Sequence, residues 1–393
     1  MQINIFFVKN SKNYYSFPPL LAALEGLPYV RTQLVNSSFL NSFKDETADN
    51  LNVFGFSFNT IAFLKEQKIL KHTISKLKGR SVFFIAGGAH PTACPEELLS
   101  FGFDAVVKGD GELAIVDIVK KLHEGQKITG VFEHKITNLD EHPPFPNCKS
   151  YYKPIEITRG CYYACNYCQT SFLFNKKPVH RSIDNIIFFL KRAFEWGYRD
   201  FRFISPNALG YGTYAKTPDL AILSQLLSKI KTVIGNKGRL FFGSFPSEIR
   251  PEFATLDAML LLKEYVDNKR VIIGAQTASD RMLKLSHRGH SVYDIEQAIE
   301  NTLTAGFQAD IDIIFGMPEE TEEDVQETIN FIEKHASKNV KFHLHYFIPL
   351  PGTPWSNKKP AFLSKNVIKL LQRLTGAGKV WGTWLAQKTY TKF

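Results

Sequence analysis

The sequence predicts an α/β protein in two parts, an open doubly wound parallel sheet followed by a partial (β/α)6 TIM-like barrel. Three observations lead there. Apolar segments of strand length alternate with amphipathic helical ones, as in parallel sheets whose crossovers are helices. The alternation is broken by Asn138–Pro154, a polar stretch with Pro143, Pro144 and Pro146, which reads as a linker. Beyond it the alternation resumes over six βα units, enough for a full or partial barrel. The expected parts are therefore 1–137, a linker 138–153, a barrel 154–357 and a basic helical tail 358–393.

In the first part, strands are expected at Ile3–Val8, Val53–Phe56, Val82–Ile85 and Asp104–Val107, with a weaker one at Tyr29–Val35. The helix over Ile61–Leu77 is expected to end at Gly79, since glycine readily takes the left-handed conformation of a C-cap. In the barrel, strands are expected at Ile155–Thr158, Asp200–Ile204, Leu240–Ser244, Val271–Ala275, Ala309–Phe315 and Lys341–Ile348. Three helices carry an N-terminal signature, a Ser or Thr with a polar partner three residues on: Ser182 with Asn185, Ser291 with Asp294, Thr321 with Asp324. Glycines 197 and 306 mark the ends of two helices.

With 44% hydrophobic and 22% charged residues, the chain can bury a core and is not of disordered composition. No apolar run approaches the ~18 residues of a membrane span, and the first residues lack a signal-peptide layout, so no membrane span and a cytoplasmic location are expected. Lys and Arg number 48 against 38 Asp and Glu, a net charge of +10. The excess sits in the tail, whose last 36 residues hold eight Lys or Arg and no acid. There Ser364 is placed to cap a helix with an apolar stripe of Val367, Ile368, Leu371 and Leu374. A closing helix with a solvated basic side is preferred to a nucleic-acid landing site.

Three of the five cysteines crowd into Cys161-Tyr162-Tyr163-Ala164-Cys165-Asn166-Tyr167-Cys168. This C-x-x-x-C-x-x-C pattern falls on a loop at the catalytic end of the first barrel strand. Four thiolates normally hold a [4Fe–4S] cluster; three at this spacing leave one iron open to a small molecule. The competing readings are zinc with a remote fourth ligand, or Cys148 completing a four-cysteine set.

On these residues the sequence resembles the radical S-adenosylmethionine (SAM) superfamily across about 150–355. The resemblance implies that Cys161, Cys165 and Cys168 hold the cluster, that the open iron chelates SAM, and that SAM is cleaved to a 5′-deoxyadenosyl radical. Tyr167 matches the aromatic placed beside the adenine, and Ile314, Gly316 and Glu319 match the I-x-G-x-x-E pattern after the fifth strand. Asp312 stands where the longer form of that motif has glycine, and Gln276 replaces a usual glutamate before Arg288-Gly289. Ser205-Pro206-Asn207 replaces the Gly-Gly-Glu element, with Asn207 as the candidate substitute for recognising the SAM amino group.

The first part also resembles a flavodoxin-like cobalamin-binding domain, through Pro18 in Ser16–Leu20, Gly87-Gly88-Ala89-His90-Pro91-Thr92 and Gly109-Asp110-Gly111-Glu112. Ser57, Asn59 and Thr60 complete the expected loops. Taken alone these segments also read as turns. No histidine lies in the loop Lys9–Ser16, so cobalamin is expected base-off with no axial histidine, and His90 reads as a loop residue rather than a cobalt ligand.

Alternation along the barrel strands points His343 and His345 inward with Arg202, Asp310 and Asp312. His343, His345 and Arg202 are therefore candidate catalytic residues, against the alternative that Arg202 merely satisfies Asp312. The expected function is a cobalamin-dependent radical SAM enzyme methylating an unactivated carbon through methylcobalamin, supplied with electrons by a ferredoxin or flavodoxin. The substrate, small molecule or macromolecule, is not legible. The alternatives are a cyclase or rearrangement enzyme with the same cofactors, and a non-catalytic corrinoid or iron–sulfur sensor.

Overall fold

The computed structural model describes residues 1–10, 12–43, 50–77, 81–174 and 176–391. The expected cap at Gly79 lies outside the described residues. The chain divides into two compact units, Met1–Lys153 and Pro154–Phe393.

The first unit is a six-stranded, all-parallel sheet of β1 (Gln2–Lys9), β2 (Val30–Asn36), β3 (Asn50–Ser57), β4 (Val82–Gly87), β5 (Ala105–Gly109) and β6 (Gly130–His134). Its order is β2-β1-β3-β4-β5-β6, so the winding reverses between β1 and β3. Because successive strand side chains point to opposite faces, the sheet has two cores. Ile3, Ile5 and Phe7 pack with the helices Phe17–Leu24 and Gly111–His123 on one face. Phe54 and Phe56 pack with Thr60–Leu77 and Pro95–Phe101 on the other. Strand β6 was not expected; it begins at a glycine with positive φ, and alternate residues of it are exposed, so its apolar signal is weak. The expected linker is packed rather than extended: Leu139 and Phe145 are buried, and the segment falls within the first unit.

In the second unit Thr158–Arg159 pairs antiparallel with Val179–His180, and the other pairings are parallel. Ile155–Glu156 pairs with Phe203–Ile204, and Asp200–Phe201 with Arg239–Leu240. A bridge joins Ile249 to Ile273. Arg270–Gln276, Gln308–Phe315, Val340–Tyr346 and Val380–Trp381 then form one sheet in that order. The expected caps are formed: Ser182 accepts from Asn185, while Ser291 with Asp294 and Thr321 with Asp324 make reciprocal capping boxes. Such caps satisfy two orphan N–H groups at once. The tail helix, Lys365–Gly376, is capped by Ser364 and buries Val367, Leu371 and Leu374. It leads into Val380–Trp381, which lies beside Val340–Tyr346, so the basic tail closes the barrel sheet with a strand that the apolar pattern did not announce.

Gly88 has φ +98, and a Cβ there would lie 2.8–2.9 Å from Phe58 backbone atoms and Ser57 Oγ. Gly87 has no such restriction, its nearest neighbour being Val107 at 3.6 Å. Gly88→Ala is therefore expected to destabilise the chain by about 1–3 kcal/mol, and Gly87→Ala by much less, measured by denaturant unfolding followed by circular dichroism.

Candidate active site

The cysteine loop leaves the strand Thr158–Arg159 through Gly160 and turns at Ala164, both at positive φ. Hydrogen bonds fasten it from several sides. Asn166 N–H donates to Ser286 O (3.0 Å), its side-chain amide to Leu285 O (2.8 Å), and Trp355 N–H to Asn166 O (3.1 Å). Cys161, Cys165 and Cys168 all line one cavity of about 310 Å³, with Tyr167, Ser205, Glu248, Arg250, Gly274, Gln276 and Arg288 among its walls.

Two buried guanidinium groups face the middle cysteine. Arg288 Nη1 lies 3.4 Å and Arg250 Nη1 3.9 Å from Cys165 Sγ. Burial alone would raise the Cys165 thiol, but the two positive charges outweigh it and hold the thiol below its ordinary value. Such surroundings mark a thiolate. The arginines are themselves anchored. Arg288 donates to Gly274 O, and Arg250 to Arg288 O, to Glu252 Oε1 at 2.6 Å, and over the Tyr163 ring at 3.3 Å. Glu252 in turn faces His290 Nδ1 at 3.4 Å.

Gln276 reaches the cavity because the strand register slips between Gly274 and Gln276 and Gln276 takes φ +79, a costly conformation for a residue with a side chain. A Cβ built on Gly274 would lie 2.9 Å from Gln276 Nε2 and 3.6 Å from both Arg288 Nη2 and Glu248 Oε2. The missing side chain thus leaves a small cradle bounded by an amide, a guanidinium and a carboxylate. The Glu248 side chain is exposed on the cavity wall. Desolvation by the surrounding protein, and then Asp312 beside it, push its carboxyl up to about 7, against the pull of Arg288 and His343.

Behind Glu248 stand Asp312, His343 and His345. His343 Nδ1 is 3.0 Å and His345 Nε2 3.8 Å from Asp312 Oδ1. Gln387 fixes the tautomer of His345: its Oε1 accepts from Tyr346 N–H (2.8 Å), so its Nε2 is the donor to His345 Nδ1 (3.4 Å). His345 therefore carries its proton on Nε2, toward Asp312. His343 stacks on Trp381, 3.9 Å between ring centres.

The structure does not place every expected residue at this cavity. Asn207 lies aside, its Oδ1 accepting from Arg250 N–H (3.2 Å), and Ser205 and Pro206 line the wall instead. Arg202 does not meet Asp312; it donates to Ser244 Oγ (3.2 Å) and Phe245 O (3.1 Å) and covers the Phe241 ring. Asp310 pairs with Arg270. Glu319 is exposed, with Lys358 at 3.2 Å. Ile314 and Tyr167 meet in an apolar cluster with Met282, Met317, Phe347 and Trp355, and Gly316 turns at φ +76 under Tyr346, whose ring a Cβ would strike. Sequence reading missed Glu248 and Arg250. Their signal was a carboxylate and a guanidinium two residues apart, just past the third strand.

In the first unit, the expected loops gather at the carboxyl ends of β1, β3, β4 and β5, where an open parallel sheet binds ligands. Asn13 ties Val8 O to Ser57 O, and Ser57 Oγ donates to Ser16 Oγ at 3.0 Å. Asn59 Oδ1 caps the following helix through Ala62 N–H (2.8 Å). Pro18, Thr60, Pro91 and Glu112 are buried in helical first turns. Gly109 turns at φ +87, and a Cβ on Gly111 would strike Leu20. His90, expected in a loop, lies in the short helix Ala89–Ala93, buried and stacked on Phe63 at 4.5 Å with Glu97 at 3.4 Å.

Residues 155–332 match the family model of the radical SAM superfamily. That segment of the chain is a radical SAM domain, and the support is for an enzyme. A radical SAM domain implies a [4Fe–4S] cluster and SAM, and the three converging cysteines beside two guanidinium groups fit the thiolate charge such a cluster needs. Among curated relatives, a tRNA-2-methylthio-N(6)-dimethylallyladenosine synthase of Thermotoga petrophila is 26% identical over 72% of this chain and 62% of its own. An uncharacterized methyltransferase of Pyrococcus horikoshii is 26% identical over 77% and 68%. The chain thus spans about three fifths of the length of the first of these. Among solved structures, the radical SAM methyltransferase TsrM of Kitasatospora setae superposes with a TM-score of 0.68 at 16% identity, covering 90% of this chain and 77% of its own. The cobalamin-dependent radical enzyme OxsB gives 0.64 at 14% identity, over 96% and 56%. These two establish a shared fold.

The Glu252–His290 pair gives this radical SAM barrel an acid limit. Burial pushes His290 down to about 4, from an ordinary 6.5. For Glu252, burial is outweighed by His290 and Arg250, which bring it to about 2 from 4.5. In both cases the unfolded chain binds its proton first as pH falls, so stability is present at neutral pH and lost on acidification. The His290 contribution declines between about pH 6.5 and 4, that of Glu252 below about 4.5. His290→Gln is expected to flatten the fall in melting temperature between pH 7 and 4, read by thermal unfolding.

Proposed function

We propose that the chain is a cobalamin-dependent radical SAM enzyme that methylates an unactivated carbon. The observation that carries this reading is the three-cysteine cavity, with Cys165 between two buried arginines, in a chain that also holds a parallel sheet of β2-β1-β3-β4-β5-β6 order. The TsrM structure with the same architecture holds cobalamin and a [4Fe–4S] cluster, and that of OxsB holds aqua-cobalamin.

When bound, the cluster and SAM supply a 5′-deoxyadenosyl radical and cobalamin supplies a transferable methyl group. The protein's own part is positioning. Cys161, Cys165 and Cys168 hold the cluster while Arg288 and Arg250 offset its thiolate charge. Tyr167 and Ile314 offer an apolar seat to an adenine, and Gln276 an amide to the polar end of SAM. In the first unit, the turns at Gly88 and Gly109 keep backbone within reach of a corrin, with no histidine in the Lys9–Ser16 loop to ligate cobalt. Electrons would come from a ferredoxin or flavodoxin.

The methylthiotransferase relatives suggest a second reading. Against it, a second three-cysteine cluster cannot be made from the two remaining cysteines, Cys94 and Cys148. Cys94 is also a poor thiolate, pushed up to about 11 by burial and then Glu97.

Anaerobic reconstitution with iron, sulfide and cobalamin, then SAM and a reductant, tests the proposal. Formation of 5′-deoxyadenosine, lost by at least 100-fold in Cys165→Ala, is the expected result. The corrinoid's visible spectrum should report a base-off state without nitrogen ligation and change on addition of SAM. 5′-Deoxyadenosine without retained cobalamin would sink the cobalamin reading, and retained cofactors without SAM cleavage would favour a sensor.

A further inference from the structure

The chain lacks a carboxylate at the end of its second barrel strand, where Ser205-Pro206-Asn207 stands, and Asn207 has its amide oxygen on Arg250 N–H. SAM ends in an α-amino acid, whose ammonium asks for an anionic acceptor. We propose that Glu248, from the segment after the third strand, receives the SAM ammonium group. This rests on SAM being the ligand of the three-cysteine cavity.

Three observations carry it. First, Glu248 is the one acidic residue among the described residues that line the cavity. Second, it comes within reach of groups of opposite character at one point. The Gly274 cradle has Glu248 Oε2 on one side and Gln276 Nε2 and Arg288 Nη2 on the others. An amino acid's ammonium and carboxylate branch from one carbon, so they need an acceptor and donors close together, as here. The absent Cβ leaves the room. Third, Asp312 behind Glu248 does not compete for the ammonium. It is already faced by His343 Nδ1 and by the Nε2–H that Gln387 imposes on His345. No Lys or Arg lies within ion-pair distance of Glu248 among the described residues.

The barrel thus moves the ammonium receptor from one strand end to the next. A conservative variant isolates the charge. A charge-assisted hydrogen bond is worth about 10- to 100-fold in affinity. In the reconstituted enzyme, Glu248→Gln is expected to weaken SAM binding by that factor in equilibrium dialysis. It should leave binding of the desamino analogue of SAM within about threefold of wild type, with Glu248→Asp partly restoring SAM. Gly274→Ala, whose Cβ meets chiefly the mobile end of Gln276, should weaken both ligands while leaving cluster absorbance intact.

Equal weakening of both ligands by Glu248→Gln, or none of SAM, would overturn the assignment. Should Glu248→Gln fail to fold, the wild-type ratio of SAM to desamino affinity and its partial fall in Glu248→Asp decide instead; a wild-type ratio near one, or an unchanged ratio in Glu248→Asp, overturns it. Loss of SAM binding by the wild type itself would overturn the reading of the cavity and this assignment with it. Loss of methyl transfer alone touches only the proposed reaction.

Discussion

The second unit depends on how buried charge is balanced around Cys165. Two guanidinium groups, Arg250 at 5% and Arg288 at 6% exposure, are costly to bury unless each is paired and its N–H groups are accepted. Arg250 has Glu252, and both arginines donate to backbone carbonyls that rigid neighbours hold in place. Each then reaches the same sulfur. The arrangement favours the thiolate at Cys165, where burial pushes Cys168 the other way, and it ties the cysteine loop to the ends of the third and fourth barrel strands. A change at Glu252 or His290 therefore reaches the cluster loop through Arg250, though neither side chain touches a cysteine.

Much of this was legible where chemistry is local. The C-x-x-x-C-x-x-C spacing, the capping pairs Ser291–Asp294 and Thr321–Asp324, and the glycines that end helices each declare themselves within a few residues. The sheet of the first unit follows from its apolar runs, and His343 with His345 from the alternation on one strand. What was hidden depends on partners far away in sequence. Nothing near Asn207 says that its amide will be captured by Arg250 N–H, and nothing near Arg202 says that Ser244 and Phe245 O will hold it. The third barrel strand is regular only over Arg239–Leu240, so the irregular chain after it gave Glu248 and Arg250 no periodicity by which to be placed. His90 was misread because its Gly-Gly and Pro-Thr neighbours are turn formers; the ring of Phe63 and the carboxylate of Glu97 draw it into the interior.

The first unit shows the same division between backbone and side chain. Its rim is built less from polar side chains aimed outward than from close-packed turns. Asn59 caps a helix, Ser57 is engaged with Ser16, and Pro18, Pro91 and Glu112 are buried. At Gly88 and Gly109 a Cβ would strike the backbone of Phe58 and of His134, so glycine there is what lets the turns pack this closely.

The group behind Glu248 could be taken for a metal site, since two imidazoles and a carboxylate present ligand atoms within 4.8 Å of one another. Its hydrogen bonds argue otherwise. A divalent ion on His345 Nε2 needs that atom unprotonated and a proton on Nδ1 to donate outward. Gln387 enforces the reverse, because its own oxygen is held by Tyr346 N–H and only its amide nitrogen is left to face Nδ1. Placing a metal there would require Gln387 to flip and abandon a 2.8 Å hydrogen bond. The set instead keeps Asp312 as a carboxylate, held below its ordinary value by His343 and His345 despite its burial. That fixed negative charge adds to desolvation in raising Glu248 beside it, while His343 pulls the other way, so the imidazoles act on the cavity wall largely by holding Asp312 ionised.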